Sequence, residues 1–534
     1  MYTLFYGGKI ITMEDDDKRS AEAVLVEDGI IVGVGSLAEL KKKAGNSVEE
    51  RNLSGKCMLP GFIDTHSHIT MNGQVASWAD LSECNSFSEI IETMKNYIEY
   101  NKLDEKSPVI GYGYDHNFLE EKKHPDKNIL DQISSTNPIL ILHISAHLAC
   151  VNSKMLTLSG ITELTEDPFG GVYGRVEGTN IPNGYLEEAA MSYVQKTLLS
   201  QVKFDALDIV NKMQEKYIEY GITTAQDGAT DETGFSLLKM ASDFGRLKLD
   251  VVAYPLLSSN GREIAHKNAE YVGKYQKGLK IGGYKVLLDG SPQGRSAWMS
   301  EPYMECADDY RGYPWMKDEE LDSYVRQSIE DGMQLLAHCN GDAASEQFLD
   351  SYTRMVSACN KEMKLRPVMV HCQTVRADQL KRMKNINMIA SIFVGHVYYW
   401  GEIHRRNFGE KRGNRISPVK EAMENGLSVN LHQDTPVTKP DMLHSIWCAV
   451  NRISRDGNVI GAEQSITVYE ALKAVTINAA YAYFEENTKG SISEGKYADF
   501  VILDQNPLEI NKELIKDIRV LETVKKGVTI YIAS

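Results

Sequence analysis

The chain has 534 residues, 25% of them charged and 42% apolar, with a formal net charge of −16. That length exceeds one ordinary domain and fits one large domain with a smaller companion. The acidic balance excludes the basic footprint of a nucleic-acid-binding protein and leaves a small-molecule substrate as the expected partner.

The opening stretch "MYTLFYGGKIITMEDDD" has no basic region leading into an apolar core, so no secretory signal is predicted. The apolar run "PILILHI" at 138–144 is too short to cross a bilayer, and the expected location is cytoplasmic, without membrane contact. Eight cysteines are scattered without a C-x-x-C pair, which excludes a zinc knuckle and a thioredoxin-like motif. Cys339 and Cys372 each follow a histidine and are expected to be reduced core residues.

In chain order, residues 1–57 read as short strands with turns ("YTLFYGGKIITM", "EAVLVEDGIIVGVG", "EERNLSGKCML"). The far end answers with "ADFVILD", "IRVLETVKKG" and "VTIYIA". Strand-rich pieces at both ends predict one small module, because chain termini tend to lie close together. Between them, short apolar runs alternate with helical patterns, as βα units around a parallel sheet do. The runs are "MLPGFIDTH" (58–66), "GITTAQD" (221–227), "LDVVAYPL" (249–256), "IGGYKVLLDG" (281–290), "MQLLAHC" (333–339), "PVMVHC" (367–372), "NMIASIFV" (387–394) and "LSVNLHQD" (427–434). Eight such runs are what a closed barrel requires. The gap after the first is far too long for a βα loop. It holds a helix candidate ("FSEIIETMKNYIEY"), strands and a glycine-rich hairpin ("FGGVYGRVEG"). The expected fold class is therefore α/β: a (β/α)8 TIM barrel over 58–480, with an inserted subdomain at about 73–200. A small β-sandwich is expected from 1–57 and 481–534.

Active sites of such barrels lie at the C-terminal strand ends. The first run leads into His66 and His68, whose spacing puts both on one face if the stretch is a strand. The fourth carries Lys285, the fifth His338, the sixth His371 and the eighth Asp434. Any one has a plain structural explanation. Together at strand ends they predict a metal centre.

The same residues carry a resemblance. The stretches "LPGFIDTHSH", "GYGYDHNFLEEKKHPDKNILD", "SAHLACVNSKML", "KVLLDGSPQGRSA", "AHCNGDAA", "VHCQ", "HQDTPVTKP", "EALKAVTINAAYA" and "GSISEGKYADFVILDQNPL" resemble the amidohydrolase superfamily. Within it the chain is similar to the amidohydrolase family 3 branch of N-substituted formamide deformylase-like enzymes. The resemblance implies metal-dependent hydrolysis of a non-peptide C–N bond in an amide or N-acyl compound by metal-activated water. His66 and His68 are expected to hold a first divalent ion with Asp434, and His338 and His371 to hold a second or to orient substrate. Zinc suits the imidazole–carboxylate set, with iron, nickel and manganese as alternatives. The resemblance further implies an N6-carboxylysine at Lys285 bridging two ions; the alternative is an unmodified lysine in a one-ion site. Asp434 is expected to move protons as general base and then general acid, with His371 and Lys285 beside it as catalytic candidates.

Substrate-binding candidates are Arg295 and Trp298 after the fourth run, His143 and His147 in the insertion, His432 beside Asp434, and His396 in "GHVYYWGE". Each has a packing alternative. Asp64 is expected to steer the first-strand histidines, and Asp289 is as compatible with an ordinary loop carboxylate. A homodimer is the expected assembly. The competing functions are a deaminase of a small heterocycle and a non-catalytic regulator on a hydrolase scaffold.

Overall fold

Parallel strands buried on both faces read as unbroken apolar runs, and the eight runs take up that role in a computed structural model. It describes residues 1–14, 19–199, 205–306, 308–359 and 364–533. Phe62–Ile63, Ile222–Thr230, Asp250–Pro255 and Leu279–Ile281 form one parallel sheet in chain order. Gly283–Leu287, Gln334–Cys339, Val368–His371, Ile389–Ile392 and Val429–Leu431 form a second. The fourth run belongs to both sheets and is interrupted only at Gly282. A Cβ there would fall 2.6 Å from Val252 Cγ1, so glycine permits the close crossing of the third strand. Helices stand between successive strands, among them Glu232–Asp243, Asp318–Asp331, Asp342–Cys359 and Ala377–Asn385. The result is an α/β fold of the TIM-barrel type. Between the first and eighth strands, Thr65 Oγ1 donates to Asn430 Oδ1 at 2.7 Å and His68 N to Thr435 O at 2.8 Å.

The first run divides differently from the expectation. Cys57–Pro60 pairs with Phe500–Leu503 and with Lys9–Ile10, and only Phe62–Ile63 joins the parallel sheet. The turn between them is Gly61, where a Cβ would meet Thr223 Cγ2 at 2.4 Å. His66 and His68 therefore lie beyond the strand end. Their backbone N–H groups go to Asp64 Oδ1 and Thr435 O, and His68 precedes the helix Ile69–Val75. A turn held by Asp64, not strand alternation, sets the two imidazoles side by side.

Strands from both chain ends hydrogen-bond into one eight-stranded sheet. Its order is 528–532, 520–525, 500–503, 57–60, 2–11, 20–27 and 30–35, with 48–52 also on 2–11. Within the insertion a second sheet runs 171–175, 182–187, 148–151, 139–143, 109–114, 79–80. The expected helix is present as Phe87–Tyr100, capped by Ser86, whose side chain accepts from Glu89 N. The glycine-rich segment forms the antiparallel pair Gly171–Arg175 and Pro182–Glu187. Residue 200, the expected end of the insertion, lies outside the described residues. Among the described residues no helix is long and apolar enough to cross a membrane.

The terminal sheet is tied to the barrel by buried charge. Asp250 Oδ2, on the third barrel strand, accepts from Lys489 at 2.5 Å and Lys525 at 2.7 Å. Lys525 also reaches Asp499 at 2.8 Å, Lys489 reaches Glu485 at 2.9 Å, and Lys280 pairs with Glu485. These side chains are all under 10% exposed, so solvent screens them little. Removing one partner strands the others in the interior. Asp250→Ala should cost about 3–5 kcal/mol in urea unfolding; a loss below about 1 kcal/mol would show that the junction does not depend on this pairing.

Candidate metal centre

Ligand-capable atoms of His66, His371 and Asp434 lie within 4.8 Å of one another, and all three side chains are buried. His66 Nε2 is 3.4 Å and His68 Nε2 3.2 Å from Asp434 Oδ1. Lys285 Nζ sits 3.3 Å from His66 Nε2, and the His338 ring packs edge-on to His371 with centroids 4.4 Å apart. The structure thus groups His371 with His66 and Asp434, where the sequence put His371 with His338 on a second ion or on the substrate, and leaves His68 at the partly open rim.

Two of the ligand positions occupy left-handed backbone, His371 at φ 77° and Asp434 at φ 58°. Non-glycine residues adopt that region at a cost of about 1–3 kcal/mol each, a strain that recurs at functional sites. The sixth strand ends at His371, and Asp434 lies three residues beyond the eighth.

Neighbouring groups decide which imidazole nitrogen is free. Gln226 Nε2 donates to Thr65 O at 2.6 Å, so its Oε1 is the acceptor 2.7 Å from His66 Nδ1. His66 then carries its proton on Nδ1 and presents an unprotonated Nε2. In the same way, Asn340 Nδ2 donates to His338 Nε2 at 3.3 Å and His338 Nδ1–H reaches Asp289 Oδ1 at 3.2 Å. His371 Nδ1 is 3.2 Å from His432 Nε2, and His432 Nδ1 is 2.8 Å from Ser391 Oγ. A relay with His371 donating to His432 and His432 to Ser391 frees His371 Nε2. Holding the outer nitrogen of a ligating histidine is how proteins orient metal ligands.

Burial sets the charges. It depresses His66 and His371 well below the ordinary imidazole range and takes His432 down to about 3. It also lowers Lys285 to about 7. Burial opposes ionisation of Asp434, yet the close imidazoles of His68, His66 and His432 hold it far below the usual carboxylate range. Neutral imidazoles facing a carboxylate are the forms that bind divalent metal. His371 Nε2 and Asp434 Oδ1 are buried with no hydrogen-bond partner among the described residues. An ion there would satisfy both, so the residues fit a divalent metal.

The other candidates are placed as follows. His147 is held by Glu188 Oε2 at 2.8 Å, its ring 5.3 Å from that of His338; the Glu188 charge raises its pKa against the opposing effect of burial. His143 lies in a separate group with Asp115 and His116, with Trp400 Nε1 donating to Asp115 at 3.0 Å. His396 is buried on His404 at 3.0 Å and edge-on to Phe393. Arg295 donates to Asn407 Oδ1 at 2.9 Å and Cys306 Sγ at 3.2 Å. Trp298 packs against the main core and gives its backbone N–H to Asp289. Asp64 does not reach the His66 ring: it accepts the His66 backbone N–H, and burial raises its pKa to about 6. Gln226 and Glu188 were not singled out from the sequence. Gln226 sits at the end of the second run, where strand-end logic could have found it, whereas nothing local marks Glu188. Asp289, compatible with a loop carboxylate, proves to anchor His338 and the backbone of Asn340 and Gly341.

The profile of the Amidohydrolase family matches residues 49–531. The chain is 29% identical to Protein LONG AFTER FAR-RED 3 of Arabidopsis thaliana, covering 99% of this chain and 91% of that one. It is 26% identical to N-substituted formamide deformylase of Arthrobacter pascens, covering 97% and 96%. An uncharacterized metal-dependent hydrolase from Pyrococcus horikoshii OT3 shares the fold with a TM-score of 0.76 at 22% identity, over 96% of this chain and 99% of that one.

Gln226→Leu keeps the bulk and removes the acceptor that fixes the His66 tautomer. Zinc affinity, read by chelator competition, should fall about 10–100-fold; an unchanged affinity would show that His66 needs no such orientation.

Proposed function

From the premise that the chain belongs to the amidohydrolase family, and is a hydrolase acting on carbon–nitrogen bonds, we propose that it is a metal-dependent amidohydrolase of a small amide or N-acyl compound. One observation carries the reading: His371 Nε2 and Asp434 Oδ1 are buried without a hydrogen bond among the described residues, inside a group of ligand-capable atoms at the strand ends. His66, His371 and Asp434 would hold a divalent ion, zinc foremost, with His68 and His338 alongside. When bound, such an ion polarises a carbonyl oxygen and lowers the pKa of water.

The chain's own groups supply the rest. Asp434 takes the proton released as water attacks the carbonyl carbon and passes it to the departing nitrogen, so the amine leaves neutral. His432 and Ser391 hold His371 in one orientation, and Gln226 does the same for His66. Lys285, whose pKa burial lowers to about 7, presents at neutral pH a share of the free amine that addition of carbon dioxide requires, and its carboxylated form would add two ligand oxygens. The eight parallel strands form, on this reading, a closed barrel with the insertion over its mouth. Support for an N-acyl substrate comes from the Arthrobacter pascens relative, whose name specifies N-substituted formamides.

The test is a screen of N-formyl and N-acyl amines before and after chelation. Hydrolysis should vanish on metal removal and return with zinc, and amine rather than ammonia should appear from a secondary amide. Full activity in verified metal-free protein would contradict the proposal. Asp434→Asn keeps the size but cannot act as a carboxylate base, so turnover should fall at least ~10²-fold, within the ~10²–10⁴ range of acid–base catalysis. Near-native turnover in that variant with metal bound would move the proton-transfer role elsewhere.

A further inference from the structure

The insertion brings its own histidine to the mouth, and its setting matches that of the barrel histidines. In the antiparallel pairing of Leu148–Val151 with Pro182–Glu187, Leu148 opposes Glu187, so His147 and Glu188 emerge together at the ladder end. Glu188 N donates to His147 O at 3.0 Å, and His147 Nδ1 lies 2.8 Å from Glu188 Oε2. Glu188 is fully buried in left-handed backbone at φ 51°, with Oε1 unpartnered among the described residues. Gly290 leaves room for it there: a Cβ at that position would lie 2.1 Å from Oε1. The preceding residue, Asp289, holds His338 Nδ1 at 3.2 Å. Two neighbouring imidazoles, one from the insertion and one from the barrel, therefore each have a carboxylate on Nδ1.

We propose that His147 is a metal ligand delivered by the insertion, sharing an ion with His338, and that Glu188 is its positioning residue. The inference rests on the metal-dependent reading above. A carboxylate on the outer nitrogen is the usual support of a ligating histidine, fixing the ring and leaving Nε2 to the metal. The spacing agrees. With metal–nitrogen bonds of about 2.0–2.1 Å and tetrahedral angles, two imidazoles on one ion have centroids about 5 Å apart. His147 and His338 are 5.3 Å apart, the separation also found between His66 and His371. The remaining positions of such an ion stay open to water or substrate.

The test uses the full-length chain loaded with zinc or cobalt(II). His147→Asn should weaken at least one bound zinc 10-fold or more in chelator competition and change the visible bands of the cobalt(II) form, since an imidazole nitrogen is lost. Glu188→Gln should keep the cobalt bands nearly in place while weakening zinc about 10–100-fold. In the wild type, zinc should slow backbone hydrogen exchange across 147–151, and in His147→Asn it should not. Wild-type zinc affinity and an unchanged cobalt spectrum in His147→Asn, or exchange in the wild type that ignores zinc, would overturn the inference while leaving the barrel centre standing. A wild type that binds no metal would instead remove the reading on which it rests. Should His147→Asn fail to fold, Glu188→Gln and the wild-type exchange measurement decide the matter.

Discussion

Burying His66, His371 and Asp434 together is the constraint on which the rest of the molecule depends. Each polar atom left unpaired in the interior costs about 1–3 kcal/mol, and both His371 Nε2 and Asp434 Oδ1 are left so. Left-handed backbone at His371 and Asp434 adds to that cost. A sequence free to relieve these terms would place apolar residues there. That it does not, while Gln226, His432 and Asp289 each support an imidazole, is what an ion-binding centre requires. The barrel provides the rigid frame: Lys285 and His338 lie on adjacent paired strands, with Leu287 opposite His338 in register.

The two additions to the barrel are joined to it in different ways. The terminal sheet meets the third strand through buried lysines and carboxylates around Asp250, a contact far from the strand ends that carry the histidines. The paired charges at that junction serve cohesion, since removing one partner of a buried pair costs more than the pair contributes. The insertion has its own apolar cores, around Leu140 and Leu186 on one face of its sheet and Ile90 and Ile139 on the other. It touches the barrel through polar contacts, Trp400 on Asp115 and His147 beside His338, and through Ile144 packed against the cluster of Phe393, Trp400 and Val437. A unit with apolar cores of its own can vary in sequence with little effect on the barrel core.

How much of this was legible in the sequence follows from the range of each interaction. The parallel strands were, because burial on both faces leaves continuous apolar runs such as "LDVVAYPL", and so were the residues at their ends. The division of "MLPGFIDTH" between two sheets was not, because it depends on which partner strands arrive at Cys57–Pro60 and at Phe62–Ile63. His66 and His68 were found by a strand argument, but a turn closed by Asp64 sets their positions. The supporting residues were the hardest to see. Gln226 is 160 positions from His66, and Glu188 is 41 from His147. Neither leaves a local pattern, since a buried amide or carboxylate is chosen by what meets it in space. The grouping of His371 with His66 and Asp434, rather than with His338 alone, is equally a product of three-dimensional closure.

The central claim, that the strand ends converge on a metal ion, is tested most directly by anomalous diffraction from crystals of the zinc-loaded protein, recorded on both sides of the zinc absorption edge. The account predicts a peak bonded to His66, His371 and Asp434, with nitrogen and oxygen ligands at about 2.0–2.2 Å. No peak at the strand ends at full zinc loading, or a peak elsewhere with His371 Nε2 and Asp434 Oδ1 still unpartnered, would contradict it.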